Sequence, residues 1–361
     1  MQKRKARMTD RERIEALLRR EKPDRVPIWP FAYMGFATVY TGTAISDAYN
    51  KPKVAYEAQR KTCQDFGWVF TPMMGYAAYG GWELGGEIKW PSGEFSQAPT
   101  VLRHPVQTPE DVANLKVPDV KTAGIIPLMK EFYDIAAQEM LENEPFNVMA
   151  MGPNMSFTTA GNISGPDVLC KWILKKPDTA HLLVKRANEH IKQVAEYWRE
   201  IYGVDGVLPM GGEPTSANQL ISPRMFEKFA LPYITEINQL FLTLGYKHLY
   251  AHICGEQNAN LPYWAQIPMG NPGIISIGHE VSLETAAKYF PNDIILGNVE
   301  PAIIQTGSPD QVYEATRKNV EDGKALGQGY VFSPGCELPP MAPIENIKAM
   351  NQAVFDHGWY V

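Results

Sequence analysis

Two short runs carry residue types that could hold a metal ion. In Ala251-His252-Ile253-Cys254-Gly255 a histidine and a cysteine stand two apart, just after the apolar stretch His248-Leu249-Tyr250. Far downstream, Phe332-Ser333-Pro334-Gly335-Cys336-Glu337 follows Gly329-Tyr330-Val331. Each run ends an apolar stretch at a glycine-bearing loop. On a strand, residues i and i+2 project to one face, so His252 and Cys254 would point together. One imidazole and two thiolates form a soft nitrogen–sulfur set that suits zinc. Three protein ligands leave a fourth position open for chemistry.

The elements that would position these residues can be read along the chain. Thr9-Asp10-Arg11-Glu12 is a capping box that opens a helix through about Arg20. Eight short apolar runs follow as candidate strands: residues 25–30, 68–70, 146–150, 206–210, 248–253, 274–277, 294–296 and 330–332. Helical stretches lie between them. Residues 177–202 form an amphipathic run. Ser222-Pro223 starts a helix toward Gly245 that Pro232 bends or interrupts. Ser308-Pro309 starts another toward Gly323, and Thr108-Pro109-Glu110 opens one in the first third.

Buried strands that alternate with helices pair in parallel, and eight such units predict an α/β fold of the (β/α)8 TIM-barrel type. The expected organisation is a single barrel domain over residues 1–361, with an N-terminal helical extension over 1–24 and an insertion over 75–145 after the second strand. The insertion holds Tyr76, Tyr79, Trp82 and Trp90, which could line a pocket or pack over one barrel end. Active sites of such barrels lie at the C-terminal ends of the strands. His252, Cys254 and Cys336 fall at such ends. So does Glu213, in Gly211-Gly212-Glu213-Pro214, which is expected as a fourth, displaceable ligand or a hydrogen-bonding strand end. His279 falls there too, as a candidate substrate contact or partner to a ligand.

Composition narrows the function classes. The chain is 45% hydrophobic and 20% charged, with a net charge of -6 at pH 7. That balance argues against nucleic acid as a partner, since phosphate binding wants a basic face. The basic start, Lys3-Arg4-Lys5-Ala6-Arg7, reads as a solvated tail. The first twenty residues lack the apolar core of a secretory leader. No apolar run reaches the length of a membrane span. The cysteines, Cys63, Cys170, Cys254 and Cys336, show no disulfide-framework spacing. A cytoplasmic location is expected. Cys63 and Cys170 lie in helical stretches and are expected to be bystanders.

Three stretches resemble the uroporphyrinogen decarboxylase superfamily: Arg25-Val26-Pro27-Ile28-Trp29-Pro30, residues 212–233 from Gly212-Glu213-Pro214 to Leu231-Pro232-Tyr233, and Gly297-Asn298-Val299-Glu300-Pro301. The pattern of His252-x-Cys254 with a distant Cys336 is similar to the branch of zinc-dependent methylcobamide:coenzyme M methyltransferases. That resemblance implies a catalytic zinc on those three residues and a methylcobamide substrate carried on a corrinoid protein. It also implies methyl transfer to a small thiol. One departure stands out. The true decarboxylases carry an arginine-rich segment after the first strand. Here that place reads Phe31-Ala32-Tyr33-Met34-Gly35-Phe36-Ala37-Thr38-Val39-Tyr40, without arginine.

Competing expectations follow. The same site could run in reverse as a demethylase, with a methoxylated or methylthio donor and cob(I)amide as acceptor. The aromatic residues Phe31, Tyr33, Phe36, Tyr76 and Tyr79 would suit an apolar donor. Uroporphyrinogen decarboxylation is a further alternative, weakened by the missing arginines. A non-enzymatic corrinoid chaperone is the last. Against it, the chain has no Asp-x-His-x-x-Gly run and no separate cobalamin-binding domain.

Overall fold

The structure, a computed structural model, describes residues 7–92, 98–139, 148–149 and 154–360. The tail at Lys3 to Lys5, and parts of the expected 146–150 strand and of the insertion, lie outside the described residues.

The C-terminal half forms a five-stranded parallel sheet in sequence order: Met210–Gly212, Tyr250–Ile253, Ile274–Ile277, Ile294–Val299 and Tyr330–Pro334. Its strands are buried along their whole length, as parallel strands covered on both faces must be. Val148–Met149 pairs in parallel with Val207–Leu208. The ring continues beyond Tyr330–Pro334. Ile28 bridges Phe332 in parallel, Trp29 N–H donates to Phe332 O at 2.9 Å, and Val69 N–H donates to Ile28 O at 2.8 Å. The eight expected strand positions thus occur in (β/α)8 order.

Three of these positions are less regular than their apolar runs suggest. Residues 25–30 make isolated bridges rather than a ladder, because Pro27 and Pro30 have no N–H to give. Residues 68–70 contribute a single backbone bond to Ile28. The run at 206–210 splits at Pro209, which accepts from Tyr250 N–H at 2.9 Å but cannot donate.

The helix signals hold. Thr9, Thr108 and Ser308 each close a capping box. Helix Pro177–Tyr202 has the expected bounds. The Ser222-capped stretch divides into Pro223–Phe229 and Leu231–Thr243, with Pro232 in the first turn of the second. Between residues 75 and 139 lie an antiparallel hairpin, Glu87–Lys89 with Thr100–Arg103, and helices Pro109–Asn114 and Ile126–Glu139. Cys63 is buried in helix Pro52–Phe66, and Cys170 lies in helix Pro166–Lys175. Among the described residues no helix is long and apolar enough to cross a membrane.

Candidate metal centre and its cavity

Parallel register places His252. Its Cα pairs with Ser276 on the next strand, and its Nδ1 lies 2.9 Å from Ser276 Oγ. Nδ1–H donation to that hydroxyl leaves Nε2 as the free lone pair. Nε2 is buried and has no hydrogen-bond partner. Phe31 packs edge-on against the imidazole, with ring centroids 4.8 Å apart.

Cys254 follows the end of the same strand, and Cys336 follows the end of Tyr330–Pro334. Their sulfurs are 3.7 Å apart. One donor atom from each of His252, Cys254 and Cys336 lies within 4.8 Å of the others, the one such His/Cys/Asp/Glu group among the described residues. Of the two thiols, Cys336 is held below the ordinary range, first by the hydrogen bond from Cys254. The same bond pushes Cys254 up. Two adjacent sulfurs resist ionising together, and a divalent cation is the simplest group to relieve that.

Two other expected residues stand elsewhere. The Glu213 carboxylate is not a fourth member of the cluster. It is fully buried and accepts from Phe157 N–H at 3.1 Å and from the Thr158 hydroxyl, at the start of helix Ser156–Ser164. That helix end offers unsatisfied N–H groups and partial positive charge, which draw the carboxylate away. Burial still pushes Glu213 up to about 7 against those hydrogen bonds. His279 does not line the cavity. It is half-exposed beside Glu280 at 3.5 Å and Glu300 at 3.8 Å.

The cluster opens into a cavity of about 250 Å³ at the C-terminal ends of the strands. Phe31, Tyr33, Met34, Tyr49, Met73, Tyr76 and Met210 supply most of its wall. The expected aromatic lining is therefore right for Phe31, Tyr33 and Tyr76 but not for Phe36 or Tyr79. Phe36 packs in the core against Tyr40 and Trp68, and Tyr79 meets His190 Nε2 at 2.8 Å through its hydroxyl. Trp82 and Trp90 pack on each other at 5.3 Å.

Glu337 also lines the cavity, and the apolar runs gave no hint of it. It is exposed, and it also lines a neighbouring cavity of about 230 Å³. Nearby protein and then the Cys336 sulfur push its carboxyl upward. Its position directly after a candidate ligand was the one available signal.

Comparison with known proteins gives a consistent picture. A family model described as uroporphyrinogen decarboxylase (URO-D) matches residues 9–357. A protein named methylcobamide:CoM methyltransferase MtbA from Methanosarcina acetivorans is 29% identical over 262 residues, which cover 72% of each chain. The protein of that name from Methanosarcina mazei is 27% identical, over 95% of this chain and 96% of its own. The solved structure of a methyltransferase from Methanosarcina mazei superposes with a TM-score of 0.81 at 21% identity, over 97% of this chain and 99% of that one, which shows the shared fold.

Proposed function

The chain belongs to the uroporphyrinogen decarboxylase family, and from that premise we propose that it is a corrinoid-dependent methyltransferase whose His252, Cys254 and Cys336 hold a zinc ion. The observation that carries this reading is the unsatisfied donor set. A buried Nε2 without a partner faces two sulfurs 3.7 Å apart, inside an apolar cavity. Zinc fits both demands, since it would engage Nε2 and let both thiols ionise. The relatives named methylcobamide:CoM methyltransferases support the reaction class.

The reaction joins a small thiol to the methyl group of a methylcobamide brought by a corrinoid protein. A sulfur–carbon bond forms and the carbon–cobalt bond breaks. The electron pair of that bond stays on cobalt, and the thiol proton leaves to solvent: CH3–Co(III) + RSH gives RSCH3 + Co(I) + H+. When bound, zinc would lower the pKa of the substrate thiol, so that it reacts as thiolate near neutral pH.

The chain's own residues do the rest. Ser276 holds the His252 ring so that Nε2 points at the sulfurs. Phe31, Tyr33 and Tyr76 keep bulk water off the reacting sulfur. Glu213 secures the strand end against helix Ser156–Ser164 and acts only through position.

The same cavity favours a second reading over decarboxylation. Its rings and methionines suit an apolar methyl donor, with transfer running from a methylated ether or thioether to cob(I)amide. Among the described residues no lysine or arginine lines it to meet a porphyrinogen's carboxylates.

The test is a methyl-transfer assay on the zinc-loaded chain with free methylcobalamin and a panel of thiols, following the cobalamin spectrum. Thiol-dependent formation of cob(I)alamin is expected. Failure with every thiol, together with methylation of cob(I)alamin by a methyl thioether, would replace the first reading by the second.

A further inference from the structure

Resting on the methyl-transfer reading above, we propose that the small substrate is uncharged: a neutral alkyl or aryl thiol, or its methyl thioether, rather than a thiol bearing a sulfonate or carboxylate. The named relatives act on coenzyme M, a sulfonated thiol. Among the described residues this cavity has no cationic side chain to receive such a group.

Four observations converge. First, no lysine or arginine lines the cavity among the described residues. Second, helix N-termini are the usual substitute for a cationic side chain when an anion must be held. Two helices begin beside this cavity, and a protein carboxylate already meets each. Gly35 N–H, at the start of Gly35–Thr41, donates to Glu337 Oε1 at 3.4 Å. Phe157 N–H, near the start of Ser156–Ser164, donates to Glu213 Oε2 at 3.1 Å.

Third, two neutral donors in the wall are committed elsewhere. The Tyr76 hydroxyl donates to Glu83 at 2.6 Å, and the Asn154 amide donates to Ala77 O at 2.8 Å. Fourth, the acidic side chain in the lining is Glu337, adjacent in sequence to Cys336. A divalent cation with two thiolate ligands would carry no surplus positive charge. A substrate anion placed within reach of the sulfurs would lose its water and meet no lysine or arginine among the described lining residues. A charge buried without a partner is strongly disfavoured. By contrast Phe31, Tyr33, Tyr49, Met34, Met73 and Met210 offer ring faces and thioethers, which reward an apolar alkyl or aryl group.

The experiment uses the zinc-loaded full chain and two matched pairs: ethanethiol against mercaptoethanesulfonate, and thiophenol against mercaptobenzoate. Binding is read by calorimetry and turnover by the cobalamin spectrum. The neutral member of each pair should bind at least about tenfold more tightly. Equal or tighter binding of the anionic members would overturn the substrate class, and with turnover present it would leave methyl transfer standing. Tighter binding of the neutral members without turnover by any thiol would keep the substrate class and sink the thiol-acceptor reading. Absence of binding by all four would overturn both.

Discussion

Two cavities of about 250 Å³ each sit at opposite ends of the barrel, and their walls differ in kind. The lower one lies where strands Ile294–Val299 and Tyr330–Pro334 begin, and Arg20, Lys22, Asp293 and Lys324 line it. Several of its polar groups are spent on nearby protein atoms. Arg20 donates to Asn292 O and to Asn271 Oδ1, both at 2.6 Å. Lys324 donates to His357 O and Trp359 O. Gly273 N–H donates to Asp293 Oδ1 at 2.7 Å. The upper cavity lies where strands end. Its wall is mostly ring and thioether, and it leaves one buried ring nitrogen unsatisfied beside two sulfurs. Cavity size alone therefore says nothing about function here. A satisfied polar end closes the barrel, whereas an unsatisfied apolar end awaits a ligand.

The largest effect should come from removing an upper-cavity sulfur. Protein purified without added metal should carry about one zinc per chain. Cys336→Ala should lower that ratio sharply and reduce methyl transfer by orders of magnitude. Metal analysis checks it, and an unchanged zinc content would erase the contrast between the two ends.

Ser276→Ala should act next, chiefly through His252. Loss of the hydroxyl that orients Nδ1 should weaken zinc roughly 10–100-fold, as removal of a ligand's own partner does elsewhere. A competition titration with a chelator measures it, and circular dichroism should show an unchanged fold.

Changes at the lower cavity should touch stability and spare the metal. Arg20→Ala removes two hydrogen bonds from an exposed side chain and should cost about 0.5–1 kcal/mol in urea unfolding. Its zinc content should match wild type. Asp293→Asn sharpens the point through pH. Burial raises the Asp293 carboxyl above its ordinary 3.8. A raised folded value means that the native state holds the proton more tightly. The stabilisation is full below pH 3.8 and fades as pH rises through the folded value. Unfolding curves across that interval should show the asparagine variant gaining on wild type as pH rises.

The smallest effect belongs to Cys170→Ser. Cys170 lies in helix Pro166–Lys175, outside the sulfur cluster. Stability should stay within about 0.5 kcal/mol of wild type, and zinc content should not move. Loss of metal from this variant would mean that the wrong thiols were assigned.

Much of this molecule was legible along the chain because the signals are local. A capping box needs four consecutive residues, and the one read at Thr9 formed, as did the helix starts read at Thr108 and Ser308. His252 and Cys254 share a face because a strand repeats every two residues. Cys336 could be paired with them because loops after parallel strands converge on one barrel end. The points that local signals left open are places where distant groups compete. Glu213 stands at a strand end as expected, but a helix N-terminus from another part of the chain claims its carboxylate. Ser276 became the partner of His252 only through the register between two strands. The aromatic run after the first strand divided, with Phe31 and Tyr33 facing the cavity and Phe36 facing the core. Sequence by itself determined the order of elements and the three donors, since propensity and period act over a few residues. Tertiary structure alone decided which carboxylate lines the cavity, which nitrogen is left unsatisfied and which side chains make the wall. Hydrogen-bond competition and desolvation depend on neighbours far apart in the chain.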